Sequence, residues 1–363
     1  MKLTVSKENF SLGLRRVLAV VSPRTTLPVL NNVLIECDGE SVVLSTTDLE
    51  VSVTTTVPGL IEEAGATTLP AKKLAQIVSS LPDGDISLDS GEDLQTKISC
   101  GRSEFKVLGL DPNEFPKDSD FKEEWQLSMT ADELRKSFSK VSYGRSNDEA
   151  RYVLNGILMS VRNSMLTVAA TDGRRLALIE RALSEEGIAD GDVILPSKVV
   201  SEIERSFGGD RKITVKLSDS RAVFDGGDIV IVTKLVEGTY PNYRQVVPSD
   251  FSHSASIPRS EFSEVLNRVS TVVSSSSSSV TLTLNKATMV ISASSAEFGE
   301  SSEPMDVSYD GDKFELAFNP VFFADPLRHL ECDHLIMQFN DEFSPVALSG
   351  DEGFLYIVMP MRG

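Results

Sequence analysis

Leu30-Asn31-Asn32-Val33 returns 124 residues later as Leu154-Asn155-Gly156-Ile157, and Thr47-Asp48-Leu49 returns at the same spacing as Thr171-Asp172-Gly173. Leu69-Pro70-Ala71-Lys72-Lys73 is matched by Leu195-Pro196-Ser197-Lys198, and Pro196 returns another 124 residues on as Pro320 in Phe318-Asn319-Pro320-Val321. Such a period is too long for a solenoid, whose repeats run to about 20 to 50 residues. It is the length of a small domain. A chain of 363 residues holds three such copies with almost nothing left over. The expected domains are 1–120, 128–246 and 254–363, joined by charged or polar connectors at 117–126 and 247–256.

Within each copy the periodicity alternates between helix and strand. Phe10, Leu14, Val17, Leu18 and Val21 fall on one helical face, as do Leu134, Phe138 and Val141, and Phe262, Leu266, Val269 and Val273. Runs 32–36, 41–44 and 49–57 alternate as strands, and 156–161, 165–170 and 175–181 repeat them; turn residues between the runs predict antiparallel hairpins. A second helix is expected after each of Pro70, Pro196 and Pro320, because proline suits a helix's first turn. Pro326 falls inside the last of these and predicts a kinked or shortened helix. The fold class is therefore α+β: three similar domains, each with two helices packed on antiparallel sheets. Ser274 to Ser279 form the only low-complexity run and read as a loop between helix and strand.

Composition bounds the function. Hydrophobic residues make up 40% and charged residues 25%, as in an ordinary globular chain. No stretch reaches the roughly 18 apolar residues of a membrane span, and Met1 to Ser6 reads as a strand rather than a secretion signal. Cys37, Cys100 and Cys332 are scattered one per copy, which suits reduced packing residues in a cytoplasmic protein.

The formal net charge is −19, the opposite of a generic nucleic-acid binder. The charge is unevenly placed, however. The six expected helices (5–22, 69–81, 131–143, 195–206, 258–273 and 319–330) carry 13 basic and 8 acidic residues, so they total +5 and the remainder −24. If the helices shared a face, a polyanion would be tolerated there and repelled elsewhere. Lys7, Arg15, Arg16, Lys72, Lys73, Arg135, Lys136, Lys140, Lys198 and Arg268 are the candidate cations.

Catalytic chemistry is hard to assemble from this chain. It has no Gly-x-Ser-x-Gly elbow, phosphate-cradling glycine loop or Cys-x-x-Cys pair. His329, Cys332 and His334 are metal-ligand types, but their spacing fits no zinc-finger pattern and straddles a helix end and a strand start. Asp48 and Asp172 sit at hairpin turns, where aspartate caps its own backbone. The expectation is no enzyme, no catalytic residue, no metal and no cofactor.

Several strings resemble the bacterial sliding clamp family, the beta subunit of DNA polymerase III. They are Thr26-Leu27-Pro28-Val29-Leu30, Thr46-Thr47-Asp48-Leu49-Glu50, residues 65–71, residues 151–156, Thr171-Asp172-Gly173-Arg174-Arg175-Leu176, Tyr240-Pro241-Asn242-Tyr243-Arg244 and Tyr356-Ile357-Val358-Met359-Pro360-Met361-Arg362. The likeness spans the whole chain in order and spacing.

The resemblance implies a DNA clamp fold, closed into a ring as a head-to-tail homodimer around duplex DNA without sequence preference. It implies a processivity factor that tethers the replicative polymerase's catalytic subunit, is loaded by a clamp loader, and serves repair polymerases, ligase and mismatch-repair proteins. Clients would dock through a short hydrophobic peptide motif, in a pocket of Leu154, Thr171, Arg174, Leu176, Pro241, Val246, Val346, Ile357 and Met359. Arg174 stands where relatives often carry histidine, and Pro345 where a small polar residue is expected. DNA-proximal positions by the same likeness are Arg24, Lys72, Lys73, Tyr152 and Lys198; the serine run replaces a loop that often includes a basic residue. The protomer interface would use Phe105, Val272 and Val273. The alternative reading is a peptide-binding scaffold of three like domains that does not meet DNA.

Overall fold

Six times along the chain a strand runs straight into a helix. Strand Lys2–Ser6 leads into α1 (Lys7–Val17), Gly65–Pro70 into α2 (Ala71–Ser80) and Trp125–Thr130 into α3 (Ala131–Ser139). After the one-turn α4 (Tyr152–Asn155), Gly191–Leu195 leads toward α5 (Ser197–Ser206), His253–Pro258 into α6 (Arg259–Val269) and Phe314–Phe318 toward α7 (Pro320–His329). Local chemistry makes these junctions abrupt. Ser6 Oγ accepts from Asn9 N at 3.2 Å, and Asn319 Oδ1 from Val321 N at 3.0 Å. Thr130 and Glu133 form a reciprocal capping box: Glu133 Oε2 accepts from Thr130 N (2.9 Å) and Thr130 Oγ1 from Glu133 N (3.2 Å).

The computed structural model describes residues 1–21, 25–39, 41–91, 93–117, 121–184, 188–274 and 279–361. Chain contacts divide it into two compact units, Met1–Arg135 with Lys198–Leu235, and Lys136–Ser197 with Val236–Gly363. Among the described residues all strand pairing is antiparallel. The first unit holds a five-stranded sheet in the order Leu60–Glu63, Lys2–Ser6, Asp85–Ser90, Gln95–Cys100, Ser103–Leu108. Its eight-stranded sheet runs Trp125–Thr130, Lys212–Leu217, Arg221–Asp225, Ile229–Lys234, Val51–Pro58, Ser41–Thr47, Asn32–Asp38, Gly65–Pro70. The second unit repeats the plan. Its eight-stranded sheet runs Gly191–Leu195, Ile157–Arg162, Met165–Thr171, Arg175–Ala182, Phe354–Val358, Val346–Ser349, His334–Phe339, His253–Pro258. Its four-stranded sheet runs Gly299–Asp306, Thr288–Ser295, Val280–Asn285, Phe314–Phe318.

Helices pack on these sheets through the apolar faces that the periodicity foretells. In the first unit Phe10, Leu14 and Val17 of α1 and Leu74 and Val78 of α2 are buried with Leu3, Val5, Leu44, Val53 and Ile86. Gly13 lets α1 lie close to the sheet, since a Cβ there would sit 2.7 Å from Leu44 Cδ1 and 2.9 Å from Val57 Cγ1. In the second unit Phe262 of α6 meets Phe323 of α7 edge-on at 5.5 Å, and Phe318 meets the same ring at 4.8 Å. The first helix is shorter than its periodicity suggests. It stops at Val17 although Val20 and Val21 are buried, and the Thr46 hydroxyl takes the Val17 carbonyl at 2.6 Å.

Pro326 does not shorten its helix relative to the other second helices. Helix α7 contains it yet has ten residues, as do α2 and α5. Proline removes the N–H that would bond the carbonyl four residues back, that of Phe322. The Tyr356 hydroxyl donates to that carbonyl instead, at 2.7 Å. Tyr356 is wholly buried, and burial first of all pushes its phenol far above the ordinary range, so it remains a neutral donor.

Around the same helix, Arg175 Nη1 binds Asp325 at 2.6 Å, Arg175 Nη2 donates to Tyr143 O at 2.8 Å, and the guanidinium lies 4.7 Å from the Phe322 ring centre. His329 stacks on Tyr143 at 5.2 Å and shares a 2.9 Å hydrogen bond with Ser139 Oγ. Nearby, Lys140 and Asp351 pair at 2.5 Å with side chains only 10% and 8% exposed. Asp351 also accepts from Cys332 N (2.8 Å) and Glu331 N (3.1 Å). Burial pushes the Asp351 carboxyl up, but the Lys140 hydrogen bond and these amides outweigh it and hold the group below the usual carboxylate range.

Tyr356→Phe is expected to cost about 1 to 3 kcal/mol in denaturant unfolding, the penalty of an orphaned buried carbonyl. In a Pro326→Ala background the cost should shrink, because alanine at that position supplies the missing N–H; an unchanged cost would refute the pairing. Asp351→Asn is expected to cost about 3 kcal/mol at neutral pH, by leaving Lys140 buried without its partner. Because the folded pKa is depressed, this stabilisation is present above the unfolded value and lost as pH falls through the folded one, below about pH 4. An unfolding series against pH should therefore show a flatter acid limb in Asp351→Asn than in the parent.

Candidate functional site

The second unit carries an apolar cluster whose membership is set by strand register. Leu176 pairs with Ile357, and Ile357 with Ala347, so these three side chains share one face of the sheet. With Leu158, Leu178, Ile194, Tyr240 and Tyr243 they form a single apolar cluster, flanked by the partly buried Val153, Leu154 and Val247. Arg175, Val358 and Val346 pair along the next rung and face the opposite way. Val346, fully buried, thus lies on the other side of the sheet from Leu176, and Ala347 occupies the position beside Ile357. The one-residue difference follows from strand parity, which the sequence of Ser344-Pro345-Val346-Ala347 does not reveal by itself.

The rim is built by a turn and a 3-10 segment. Asp172 Oδ1 accepts from Arg174 N (2.9 Å) and Arg175 N (3.1 Å), Thr171 Oγ1 donates to Arg175 O (2.6 Å), and Gly173 N donates to Thr171 Oγ1 (3.1 Å). Gly173 has φ +87°, a left-handed conformation that glycine takes without strain. Met359 N donates to Arg174 O at 3.0 Å, which fixes Met359 beside the turn with 40% of its surface exposed. Tyr240 OH accepts from Thr171 N at 3.0 Å. Pro241 and Arg174 are exposed and Val246 is 52% exposed, close to the buried Tyr243 in the segment Tyr243–Val246. Leu154 is half-buried at the cluster's edge. Leu176 and Ile357 thus belong to one apolar cluster with Leu154 at its edge, Thr171, Arg174 and Met359 belong to the turn beside it, and Pro241 and Val246 lie in the stretch that carries Tyr240 and Tyr243. The exposed apolar atoms are those of Val246 and Met359 at the rim, because Leu176, Ile357 and Ala347 are buried; an aliphatic or aromatic side chain fully buried against such atoms gains about 1.5–3 kcal/mol.

Asp48 performs the same structural duty as Asp172: its Oδ1 accepts from Glu50 N (3.0 Å) and Val51 N (2.8 Å). The turn reading of both aspartates accounts for their geometry. Of the helix-borne cations, seven of ten are tied to carboxylates. Lys7 pairs with Asp83, Arg16 with Asp228, Arg135 with Asp132, Lys136 with Glu331, Lys140 with Asp351, Lys198 with Asp48 and Arg268 with Glu303. Arg15 on α1 and Lys72 and Lys73 on α2 are exposed, and among the described residues no carboxylate pairs with them. Lys73 donates to Gln76 Oε1 at 3.0 Å. Burial pulls the Lys198 ammonium down from its ordinary value. Tyr152, the first residue of α4, is 59% exposed, and Arg24 lies outside the described residues.

Phe105 is 36% exposed on Ser103–Leu108, an edge strand that also presents Leu108 at 67%. Val272 closes the 3-10 turn after α6 and Val273 follows it, both half-buried. Strand Gly299–Asp306 is likewise an edge, and Phe298 before it is 59% exposed. Of the serine run, residues 275–278 lie outside the described residues, while Ser274 is buried and its Oγ accepts from Ser295 Oγ at 3.3 Å. His329 is held by Ser139 and Tyr143 as described, and His334 opens the next strand. No helix among the described residues is long and apolar enough to cross a membrane.

Comparison with known proteins bears on the whole length. Three family models match in order: DNA polymerase III beta subunit N-terminal domain over residues 1–119, central domain over 128–242 and C-terminal domain over 244–362. The chain is 31% identical over 362 residues to the beta sliding clamp of Chlamydia muridarum, covering 100% of this chain and 99% of that protein. The DNA polymerase sliding clamp of Bacillus subtilis superimposes with TM-score 0.96 at 25% identity, over 100% and 99% of the two chains. A Pseudomonas aeruginosa sliding clamp solved with griselimycin bound gives 0.95 at 29% identity, over the full length of both.

Proposed function

Because this chain belongs to the DNA polymerase III beta subunit family and works as a DNA sliding clamp, we propose that it does so as a closed, head-to-tail homodimer around duplex DNA. Each protomer then contributes three like domains, 1–120, 128–246 and 254–363. The open edge strands Ser103–Leu108 and Gly299–Asp306 support this reading, since an unpaired edge presents backbone donors and acceptors to another chain. Phe105 from one protomer would meet Val272 and Val273 of the next. The protein performs no catalysis in this scheme; it holds DNA by topology, in the cytoplasm, and needs neither metal nor cofactor.

The electrostatics suit that task. A ring kept on DNA by closure gains nothing from tight phosphate pairing, which would add a strong salt-dependent attraction and slow sliding. Seven of the ten helical cations are already matched by carboxylates, leaving Arg15, Lys72 and Lys73 as the least compensated. Arg24, Lys72, Lys73, Tyr152 and Lys198 are the DNA-proximal set.

The apolar groove would receive a short hydrophobic peptide from the clamp loader, the replicative polymerase, repair polymerases, ligase and mismatch-repair proteins. Leu154, Thr171, Arg174, Leu176, Pro241, Val246, Ile357 and Met359 form it, with Ala347 in the floor. The single observation that supports this part is the exposed Met359 and Val246 beside the apolar cluster that holds Leu176, Ile357 and Ala347.

Cross-linking both protomer contacts should trap the protein on circular plasmid and release it on linearisation; release from the intact circle would overturn the ring. Met359→Ala should weaken a Leu-Phe-containing client peptide about tenfold in fluorescence anisotropy while sedimentation still reports a dimer. Ala347→Trp should block the same peptide by filling the floor, whereas Val346→Ala should lower stability by about 2 kcal/mol with little change in peptide affinity. Equal loss of peptide binding in both would refute the assigned register.

A further inference from the structure

A short segment ties the rim of the apolar cluster to a second sheet. Met359 N donates to Arg174 O at 3.0 Å, and Met361 N donates to Ala317 O at 2.7 Å. Arg174 lies on the turn between Met165–Thr171 and Arg175–Ala182, whereas Ala317 lies on Phe314–Phe318, an edge strand of the four-stranded sheet. Pro360, between the two methionines, has no N–H and a φ held at about −65°. The segment's backbone donors are therefore the two methionine amides, and both are used. It is a strap pinned at both ends, with a thioether side chain at each.

Both ends of the strap are open to solvent, which is unusual for methionine in this chain. Met359 is 40% and Met361 39% exposed, and of the nine methionines only Met165, at 38%, matches them. Met129, Met159, Met289, Met305 and Met337 are buried, and Met1 is half-buried. A thioether is oxidised where the oxidant can reach its sulfur, and close packing denies that access to the five buried residues. Hydrogen peroxide transfers one oxygen atom to Sδ. An S–O bond forms, the O–O bond breaks, the sulfur gives up two electrons, and the other peroxide oxygen leaves as water.

We propose that Met359 and Met361 form an oxidation site, through which a peroxide releases client peptides from the clamp while the ring stays closed. The consequence rests on the hydrophobic client groove proposed above; the modification itself does not. Methionine suits such a rim because its side chain is flexible, polarizable and apolar. The sulfoxide is polar and chiral. A leucine or phenylalanine anchor packed against it must strip water from the sulfoxide oxygen, which opposes burial. Alanine at position 359 only deletes a contact, whereas the sulfoxide also adds a group to be desolvated, so oxidation costs at least as much affinity as Met359→Ala. The protomer contacts proposed for Phe105, Val272 and Val273 involve no methionine, so dimerisation is untouched. The exposure that admits the oxidant also admits the sulfoxide reductases that reverse the reaction.

The test treats the full chain with hydrogen peroxide, removes the excess with catalase, and adds dithiothreitol. The thiol returns any cysteine sulfenic acid or disulfide to its reduced form and leaves methionine sulfoxide in place. Peptide mapping by mass spectrometry should find sulfoxide at Met165, Met359 and Met361 well before the five buried methionines. Modification of Met359 and Met361 no faster than those five overturns the site. Anisotropy with a Leu-Phe-containing peptide should show a loss of about tenfold or more in the treated parent and in treated Met165→Leu, with sedimentation still reporting a dimer. The double variant Met359→Leu/Met361→Leu, compared with its own untreated affinity, should not respond to peroxide. An equal loss in that variant, or no loss in the parent, overturns the proposal. An untreated parent that binds no peptide refutes the groove itself, whereas a parent that binds and is indifferent to peroxide refutes only the oxidation site.

Discussion

Everything functional in this molecule depends on antiparallel ladders that continue from one sequence repeat into the next. Strand Ile229–Lys234 pairs with Val51–Pro58, and strand Arg175–Ala182 with Phe354–Val358. Each eight-stranded sheet is thus a single hydrogen-bonded surface assembled from two repeats, and the middle repeat contributes strands to both units. The ladder fixes which side chains stand opposite one another, and a slip of one residue would exchange the two faces completely. Leu176, Ile357 and Ala347 share one apolar cluster because of that register. The same register in the other unit puts Ser52, Val232 and Lys234 in equivalent places.

A second constraint comes from the polar network beneath α7. A proline in mid-helix ordinarily breaks the element. Here the Tyr356 hydroxyl replaces the missing donor, while Arg175 and Asp325 neutralise each other against the Phe322 ring. Arg175 belongs to the turn that forms the groove's rim, where Asp172 Oδ2 receives its Nε at 3.1 Å. The last helix and the rim are therefore mechanically linked through one guanidinium. Rigid support of this kind suits a site whose ligand must find its pockets already formed.

Charge is organised at two levels. Overall acidity discourages general attraction to nucleic acid, and internal pairing damps most helical cations individually. Arg15, Lys72 and Lys73 are exposed, and among the described residues no carboxylate pairs with them.

Much of this is legible in the chain alone. The 124-residue spacing marks the repeats, the apolar periods mark six helices, and the turn chemistry of Asp48 and Asp172 follows from their neighbours, because these are local patterns whose physics is complete within a few residues. Helix ends are less legible: α1 stops at Val17, where Thr46, distant in sequence, takes the last carbonyl. Pro326 misleads a local reading for the same reason, since its compensation comes from Tyr356, far along the chain. The place of Val346 against Ala347 is invisible to sequence reading. Composition determines which segments seek burial, but side-chain facing is set by pairing between distant strands, and only the folded ladder decides it.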